Sequence, residues 1–154
     1  ATWGRGALTV RATHDLAGGT LSVDALGAGN TGGSLPAQAL ALFGGPVTAP
    51  GYDTHAIRGR AGISFRAEWR RELARVGVPL GRFGDARMAI VAAPYVGFAK
   101  AAGGPSADDT WHPSLGLGVI SLYDALRLDV ARGTGAGGGW MLRLDFGRSF
   151  WPIL

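Results

Sequence analysis

Residues 140–151 alternate apolar and polar side chains with a period of two. The apolar positions are Trp140, Leu142, Leu144, Phe146 and Phe150, and the positions between them are Met141, Arg143, Asp145, Gly147 and Ser149. This alternation predicts a β-strand with one apolar and one polar face. Aromatic residues near both ends of the apolar face are typical of strands in outer-membrane barrels, whose ends lie at the two membrane interfaces.

The composition is compatible with such a strand and excludes several other classes of protein. The chain has 154 residues, and its 27 Gly follow no Gly-X-Y period, so it is not collagen-like. A hydrophobic content of 47% is too high for a disordered chain. No run approaches 18 consecutive apolar residues, so no transmembrane helix is predicted. There is no Cys, which excludes disulfides and Cys-based sites.

The charge pattern does not point to nucleic acid or to a bound metal. The net charge is +4, but the Arg residues are scattered singly among apolar residues. A nucleic-acid interface usually clusters its cations, so nucleic-acid binding is not predicted. The spacing of His14, His55 and His112 fits no metal motif, and we predict no cofactor.

Seven segments have the pattern of strands, and an all-β, antiparallel fold is predicted. They cover about residues 6–16, 20–29, 56–73, 86–101, 111–123, 125–133 and 139–151. Gly and Pro interrupt residues 30–55, which we interpret as a long loop, with a short helical turn or strand at about 38–43. A loop of this length in a compact domain is more often functional than idle.

The third predicted strand has a markedly charged face. One face has Ile57, Ala61, Ile63, Phe65, Ala67 and Trp69, and the other has Arg58, Arg60, Ser64, Arg66, Glu68 and Arg70. Such charges are costly in a dry core but reasonable in the water-filled lumen of a barrel. The residues predicted to line that lumen are Arg58, Arg60, Arg66, Glu68, Arg70, Arg127, Asp129, Arg143 and Asp145. A solvated sheet face and a helix over residues 65–76 are the alternatives.

Several short motifs occur together in a familiar order. Residues 32–36 (GGSLP), 43–46 (FGGP) and 50–52 (PGY) follow a predicted strand, and residues 114–118 (SLGLG), 126–132 (LRLDVAR) and 146–150 (FGRSF) come later. In this order they resemble the bacterial surface-antigen superfamily, the BamA/TamA-type outer-membrane barrel family. The resemblance covers nearly the whole chain. It implies that the long loop is extracellular and folds into the lumen, and that Phe146, Gly147 and Phe150 belong to the C-terminal strand signal.

Two positions depart from the family together. Pro50 stands where the loop Arg of the family would be, and Gly97 stands where its acidic partner would be. Losing both charges avoids an unpaired one. We therefore expect Pro50, Gly51 and Tyr52 to face Gly97, with the Tyr52 or Pro50 ring in the space of the missing Asp. Residues 57–59 (IRG) mimic the loop motif, but we interpret them as the start of the third strand.

The resemblance implies that these are the last seven strands of a sixteen-stranded transmembrane β-barrel. Bacterial barrels have even strand numbers, and an open half-barrel would expose a sheet edge to lipid. Residues 1–154 would then be the C-terminal portion of the barrel domain, without its N-terminal strands. The expected location is the bacterial outer membrane. The expected function is the insertion, export or anchoring of proteins there, with outer-membrane lipid, the missing N-terminal part and client proteins as partners.

Other functions stay open. A hydrolytic site could be assembled from Ser114, His112 and Asp109, but no nucleophile elbow surrounds Ser114, so we predict no enzymatic activity. A soluble antiparallel β domain that binds a ligand is one alternative, and a barrel anchor for a lost peptidase or patatin-like domain is another. The five Trp lie near segment ends, where an interfacial belt is predicted and core filling is the alternative: Trp3, Trp69, Trp111, Trp140 and Trp151.

Overall fold

The computed structural model of the chain describes residues 3–32, 40–79, 81–103, 109–122 and 124–147. Its strands are β1 (Gly4–Leu16), β2 (Gly19–Thr31), β3 (Ala41–Phe43), β4 (Ile57–Gly59), β5 (Ala61–Pro79), β6 (Asp85–Ala102), β7 (His112–Ser121), β8 (Leu126–Gly133) and β9 (Trp140–Phe146). A helix of one turn, α1, covers Gly45–Thr48, and a 3-10 turn covers Gly81–Phe83. The prediction of an all-β fold is confirmed.

Seven of these strands form one antiparallel sheet in the order β1-β2-β5-β6-β7-β8-β9. Every neighbouring pair is antiparallel. In the described part of the chain β1 pairs only with β2 and β9 only with β8, so both edges of the sheet are open. No helix among the described residues is long and apolar enough to cross a membrane.

The region predicted as the third strand differs from the expectation in two ways. The alternative of a helix over residues 65–76 is wrong, because these residues lie within β5. The start of the predicted strand is a separate element, since β4 pairs with β3 in a small hairpin and leaves the large sheet. Ile57 is 1% exposed there and packs in the loop core, so it does not share the outer face of β5.

The described part of the long loop, residues 40–55, folds back onto the sheet. Ala41, Phe43, Ala49 and Tyr52 of the loop and Ile57 of β4 form a buried cluster with Ala99 and Ala101 of β6. Phe43 lies over Gly62 of β5, where a Cβ would collide with the Phe43 ring. The loop is thus held by small residues on the inner face of the sheet, and this cluster is the main apolar core of the molecule.

The opposite face of the sheet is apolar and exposed. Strand pairing sets Leu126 opposite Phe146, Leu128 opposite Leu144, and Val130 opposite Leu142. The exposed large apolar side chains of this outer face also include Leu8, Val10, Ile63, Val96, Phe98, Leu115, Leu117 and Val119. A soluble monomer rarely exposes a continuous apolar surface over so many strands.

Candidate functional site

The inner face of the large sheet bounds an open trough of about 630 Å³. Side chains from β1, β2, β5, β8 and β9 line it, and Pro46, Val47 and Thr48 of α1 enter it from the loop. Seven of the nine side chains predicted to line a lumen meet in this trough: Arg66, Glu68, Arg70, Arg127, Asp129, Arg143 and Asp145.

Glu68 is at the centre of the charged cluster in the trough. Its carboxylate accepts hydrogen bonds from Arg70 Nε at 2.7 Å and from Arg127 Nη1 and Nη2 at 3.0 and 2.8 Å. Arg66 Nη2 also donates to it. The Glu68 side chain is only 6% exposed, so three guanidinium groups replace most of its water. A buried carboxylate needs such partners to remain charged.

Arg127 connects Glu68 to a second buried carboxylate. Its Nε and Nη2 atoms each donate to Asp129 at 2.7 Å, while its Nη1 and Nη2 atoms reach Glu68. Arg143 and Asp145 form a further pair on β9 at 2.7 Å. Carboxylate and guanidinium groups thus alternate across the sheet, and each of the two buried carboxylates is bonded to guanidinium groups. These charge-assisted hydrogen bonds hold the side chains in fixed positions.

Two glycines on β7 make room for this cluster. Gly116 faces Tyr95, whose ring fills the place that a Cβ on Gly116 would take. A Cβ on Gly118 would lie 2.7 Å from Arg127 Nη2. The Arg66 guanidinium stacks over the Tyr95 ring, 3.6 Å from its centroid. Glycine on alternate residues of β7 is therefore a packing requirement of the inner face.

Two residues predicted to line the lumen lie elsewhere. Arg58 is exposed on β4, in the small hairpin. Arg60 follows that hairpin, and its Nη2 donates to the Gly32 carbonyl at 2.7 Å. The same feature explains why both residues lie outside the trough. The period-two pattern of β5 continues through Arg60 into β4, although β4 belongs to another sheet. In contrast, Arg11 and Asp24 form an ion pair in the trough that the sequence analysis did not single out.

The loop motif Pro50-Gly51-Tyr52 is seated at the ends of β7 and β8. The Tyr52 hydroxyl donates to the Pro113 carbonyl and accepts from the Gly135 N–H, both at 2.8 Å. The Gly51 carbonyl accepts from the Gly139 N–H at 2.7 Å. Gly51 has a φ of +85°, and a Cβ on it would collide with the Gly133 backbone, so only glycine fits this seat.

The space beside Gly97 is occupied by Ser114 rather than by the loop motif. A Cβ built on Gly97 would lie 2.7 Å from Ser114 Oγ and 3.4 Å from the Phe65 carbonyl oxygen. Neither Pro50 nor Tyr52 comes within 4 Å of that position. The expected packing of Pro50 or Tyr52 in place of an Asp is therefore corrected. Ser114 takes the space because it is the cross-strand partner of Gly97, and the loop sits further along β7.

We expect Tyr52→Phe to loosen the loop. Removal of the hydroxyl leaves the Gly135 N–H without its partner, whereas the Pro113 carbonyl keeps its bond from the Thr134 N–H. An unsatisfied buried donor costs about 1–3 kcal/mol. A loss of about 1.4 kcal/mol within this range raises the open fraction of the loop about tenfold. Limited proteolysis of residues 40–56 should become faster by about the same factor.

Tyr95→Phe is the matched control for this substitution. The Tyr95 hydroxyl is buried and has no hydrogen-bond partner among the described residues, so its removal should leave the cleavage rate unchanged. Equal cleavage rates for Tyr52→Phe and the native chain would show that the two hydrogen bonds do not hold the loop.

The candidate hydrolytic residues do not come together. His112 and Ser114 are buried on the inner face, and the His112 ring packs edge-on against Tyr52. Asp109 binds Lys100 Nζ at 2.9 Å, and Lys100 points to the outer face together with Ile63 and Phe65. Among the described residues there is also no group of three His, Asp or Glu side chains that could hold a metal ion.

The C-terminal strand signal is described only in part. Phe146 is exposed on the outer face and pairs with Leu126. The Gly147 N–H donates to the Ala125 carbonyl at 2.7 Å, which continues the pairing for one more residue. Phe150 and Trp151 lie outside the described residues.

No family model and no curated protein matches this chain. The resemblance to the surface-antigen superfamily therefore rests on the order of the short motifs alone and stays a prediction. What the structure adds is the arrangement of the two faces of the sheet.

Proposed function

We propose that this chain is a section of an outer-membrane β-barrel, with its outer face in lipid and its trough as part of a water-filled lumen. The observation that carries this proposal is the inverted distribution of side chains. Glu68 and Asp129 are buried in the trough, whereas large apolar side chains are exposed across the other face. A soluble sheet buries its apolar face, but a membrane barrel turns that face outward to lipid.

Aromatic and basic side chains at the two ends of the apolar face support this proposal. At the end with the long loops, Lys100 lies over Trp111 at 5.6 Å and Arg132 over Trp140 at 5.3 Å from the ring centroids. At the other end, Arg71 lies over Trp69 at 5.7 Å. Aromatic and cationic side chains are enriched at membrane interfaces, where a ring or a long stem meets both lipid and water.

The open edges need partner strands under this proposal. The sheet has seven strands in alternating directions, so β1 and β9 run in the same direction. A second copy in the same membrane orientation would therefore meet each edge in parallel. Antiparallel closure requires an odd number of further strands, and the nine that complete a sixteen-stranded barrel satisfy this condition. Unpaired edges in lipid are not tolerated, so such strands are required.

We further propose that the barrel serves the insertion, export or anchoring of proteins at the outer membrane. Support comes from the motif order and from the loop, which packs on the inner wall and is fastened to β7 and β8 through Tyr52. A loop that fills part of a lumen narrows it, and this disfavours a role as a wide open pore.

Single-cysteine spin labelling tests the orientation of the faces. The native chain has no Cys, so one label can be placed at a time. After reconstitution into lipid vesicles, labels at Leu117 and Val23 on the outer face should be relaxed by oxygen, which partitions into lipid. Labels at Ser22 and Thr13 in the trough should be relaxed by a water-soluble nickel complex.

Adjacent residues provide the internal control, since Ser22 and Val23 differ only in the face they occupy. The membrane proposal fails if, in the barrel completed by its partner strands, the nickel complex relaxes all four labels equally. That result would favour a soluble β domain whose apolar face is covered by another protein.

A further inference from the structure

We propose that an outer-face groove formed by Phe65, Phe98, Trp111 and Pro113 binds an acyl chain of lipid A, with a lipid A phosphate on Lys100. This inference rests on the proposed membrane location, and it names the lipid that one part of the surface selects.

The groove is built from a continuous row of side chains across three strands. Phe65 of β5 pairs with Phe98 of β6, and Phe98 pairs with Pro113 of β7. Trp111, which lies just before β7, closes the end of the row. The groove has a volume of about 510 Å³ and is lined almost entirely by apolar atoms. An exposed aromatic groove of this kind suits a flexible hydrocarbon chain more than a polar ligand.

Lys100 lies at the end of the groove that is nearest to the proposed membrane interface. Lys100 Nζ is 5.6 Å from the Trp111 ring centroid, and it also binds Asp109 at 2.9 Å. The Asp109 side chain is 71% exposed, so this ion pair is weak. A phosphate carries more charge than a carboxylate and is able to displace it from Lys100.

The position of the groove in the sheet indicates that it faces the outer leaflet of the membrane. The chain connections at this end are residues 32–60, 103–111 and 134–139, and those at the other end are residues 17–18, 80–84 and 122–125. Outer-membrane barrels have their longer loops outside the cell and their short turns in the periplasm. The outer leaflet of that membrane consists of lipid A, which combines acyl chains with phosphates on a glucosamine core.

Native mass spectrometry of the full chain in detergent, titrated with lipid A, tests the proposal. Lys100→Ala should weaken the apparent Kd about tenfold, as expected for one lost charge-assisted contact. Trp111→Ala should weaken it by a similar factor because it opens the end of the groove. Arg132→Ala is the matched control, since Arg132 is also an outer-face cation over a Trp but does not line the groove.

Titrations with two further lipids test which chemical groups of the ligand are recognised. Lipid A without its phosphates should bind the native chain and Lys100→Ala equally well. Phosphatidylglycerol also offers a phosphate and acyl chains, so a site specific for lipid A requires it to compete less well than lipid A. Unchanged binding in Lys100→Ala, or equal competition by phosphatidylglycerol, would overturn the lipid A site. Equal relaxation of all four spin labels by the nickel complex would instead overturn the membrane proposal, so the two failures are distinguishable.

Discussion

Replacing Glu68 with Gln is expected to lower the free energy of unfolding by about 3–5 kcal/mol, the typical effect of removing one partner from a buried ion pair. Arg66 and Arg127 would remain in the trough, where their side chains are only 17% exposed. Asp129 would be the one carboxylate left to both, so the loss is expected near the lower end of this range. Arg70 is 44% exposed and regains water, so most of the cost comes from the other two. Urea unfolding of the reconstituted chain, followed by Trp fluorescence, measures the change.

Glu72→Gln is the matched control, because Glu72 is also a Glu on β5 that binds an Arg side chain. It accepts from Arg75 Nε at 2.6 Å, but both residues are exposed where β5 extends beyond its pairing with β2. An exposed pair of this kind contributes little, so no measurable change is expected. Similar effects of the two substitutions would mean that the cluster around Glu68 is not specifically stabilising.

A double substitution separates the ion pair from the size of the side chains. Replacing Glu68 and Arg127 together with Met removes a positive and a negative charge at once. Apolar replacement of a complete buried pair is often neutral, so the double variant should lose less stability than the sum of the single ones. Additive losses would show that Glu68 and Arg127 do not act as a pair.

The period-two alternation made the faces of the strands predictable from the sequence. It indicated that Leu128 and Leu144 lie on one side and Asp129 and Arg143 on the other, and strand pairing confirms this arrangement. Side chains alternate strictly along a strand, so a polar residue fixes the face of its neighbours. The alternation therefore predicted both the all-β class and seven of the nine charged residues in the trough.

The same alternation could not show where one sheet ends and another begins. β4 and β5 are separated only by Arg60, and Ile57 continues the apolar pattern of Ile63 and Phe65. The break becomes visible only through the pairing of Ile57 with Phe43 in the loop. Such pairing depends on how the loop packs, which local periodicity does not contain.

The ion pair between Glu68 and Arg127 could not be predicted from the sequence either. Glu68 lies on β5 and Arg127 on β8, three strand spacings apart, or roughly 14 Å along a flat sheet. Their contact requires a curved sheet, and of the two intervening strands, β6 and β7, the second has only glycine on its inner face there, at Gly116 and Gly118. The glycines in residues 114–118 were noticed as a motif, but their role in this contact follows only from the three-dimensional arrangement.

Gly116→Val is expected to cost about 1–3 kcal/mol or more, the usual range for overpacking a filled space. A Cβ on Gly116 would occupy the place of the Tyr95 ring, and movement of that ring would disturb the Arg66 guanidinium stacked on it. Unfolding in urea and the yield of reconstituted protein should both fall. Gly27→Val is the control, because a Cβ on Gly27 of β2 meets no atom within 4 Å, and valine suits a strand better than glycine.

Tyr95→Ala should rescue Gly116→Val, because it empties the space that the valine needs. The double variant is therefore expected to be more stable than Gly116→Val alone, even though Tyr95→Ala by itself removes packing from the trough. This sign cannot arise if the two residues are independent, since independent losses add. A double variant that is less stable than either single variant would contradict this. It would show that β7 needs glycine at position 116 for its backbone conformation and not to make room for the Tyr95 ring.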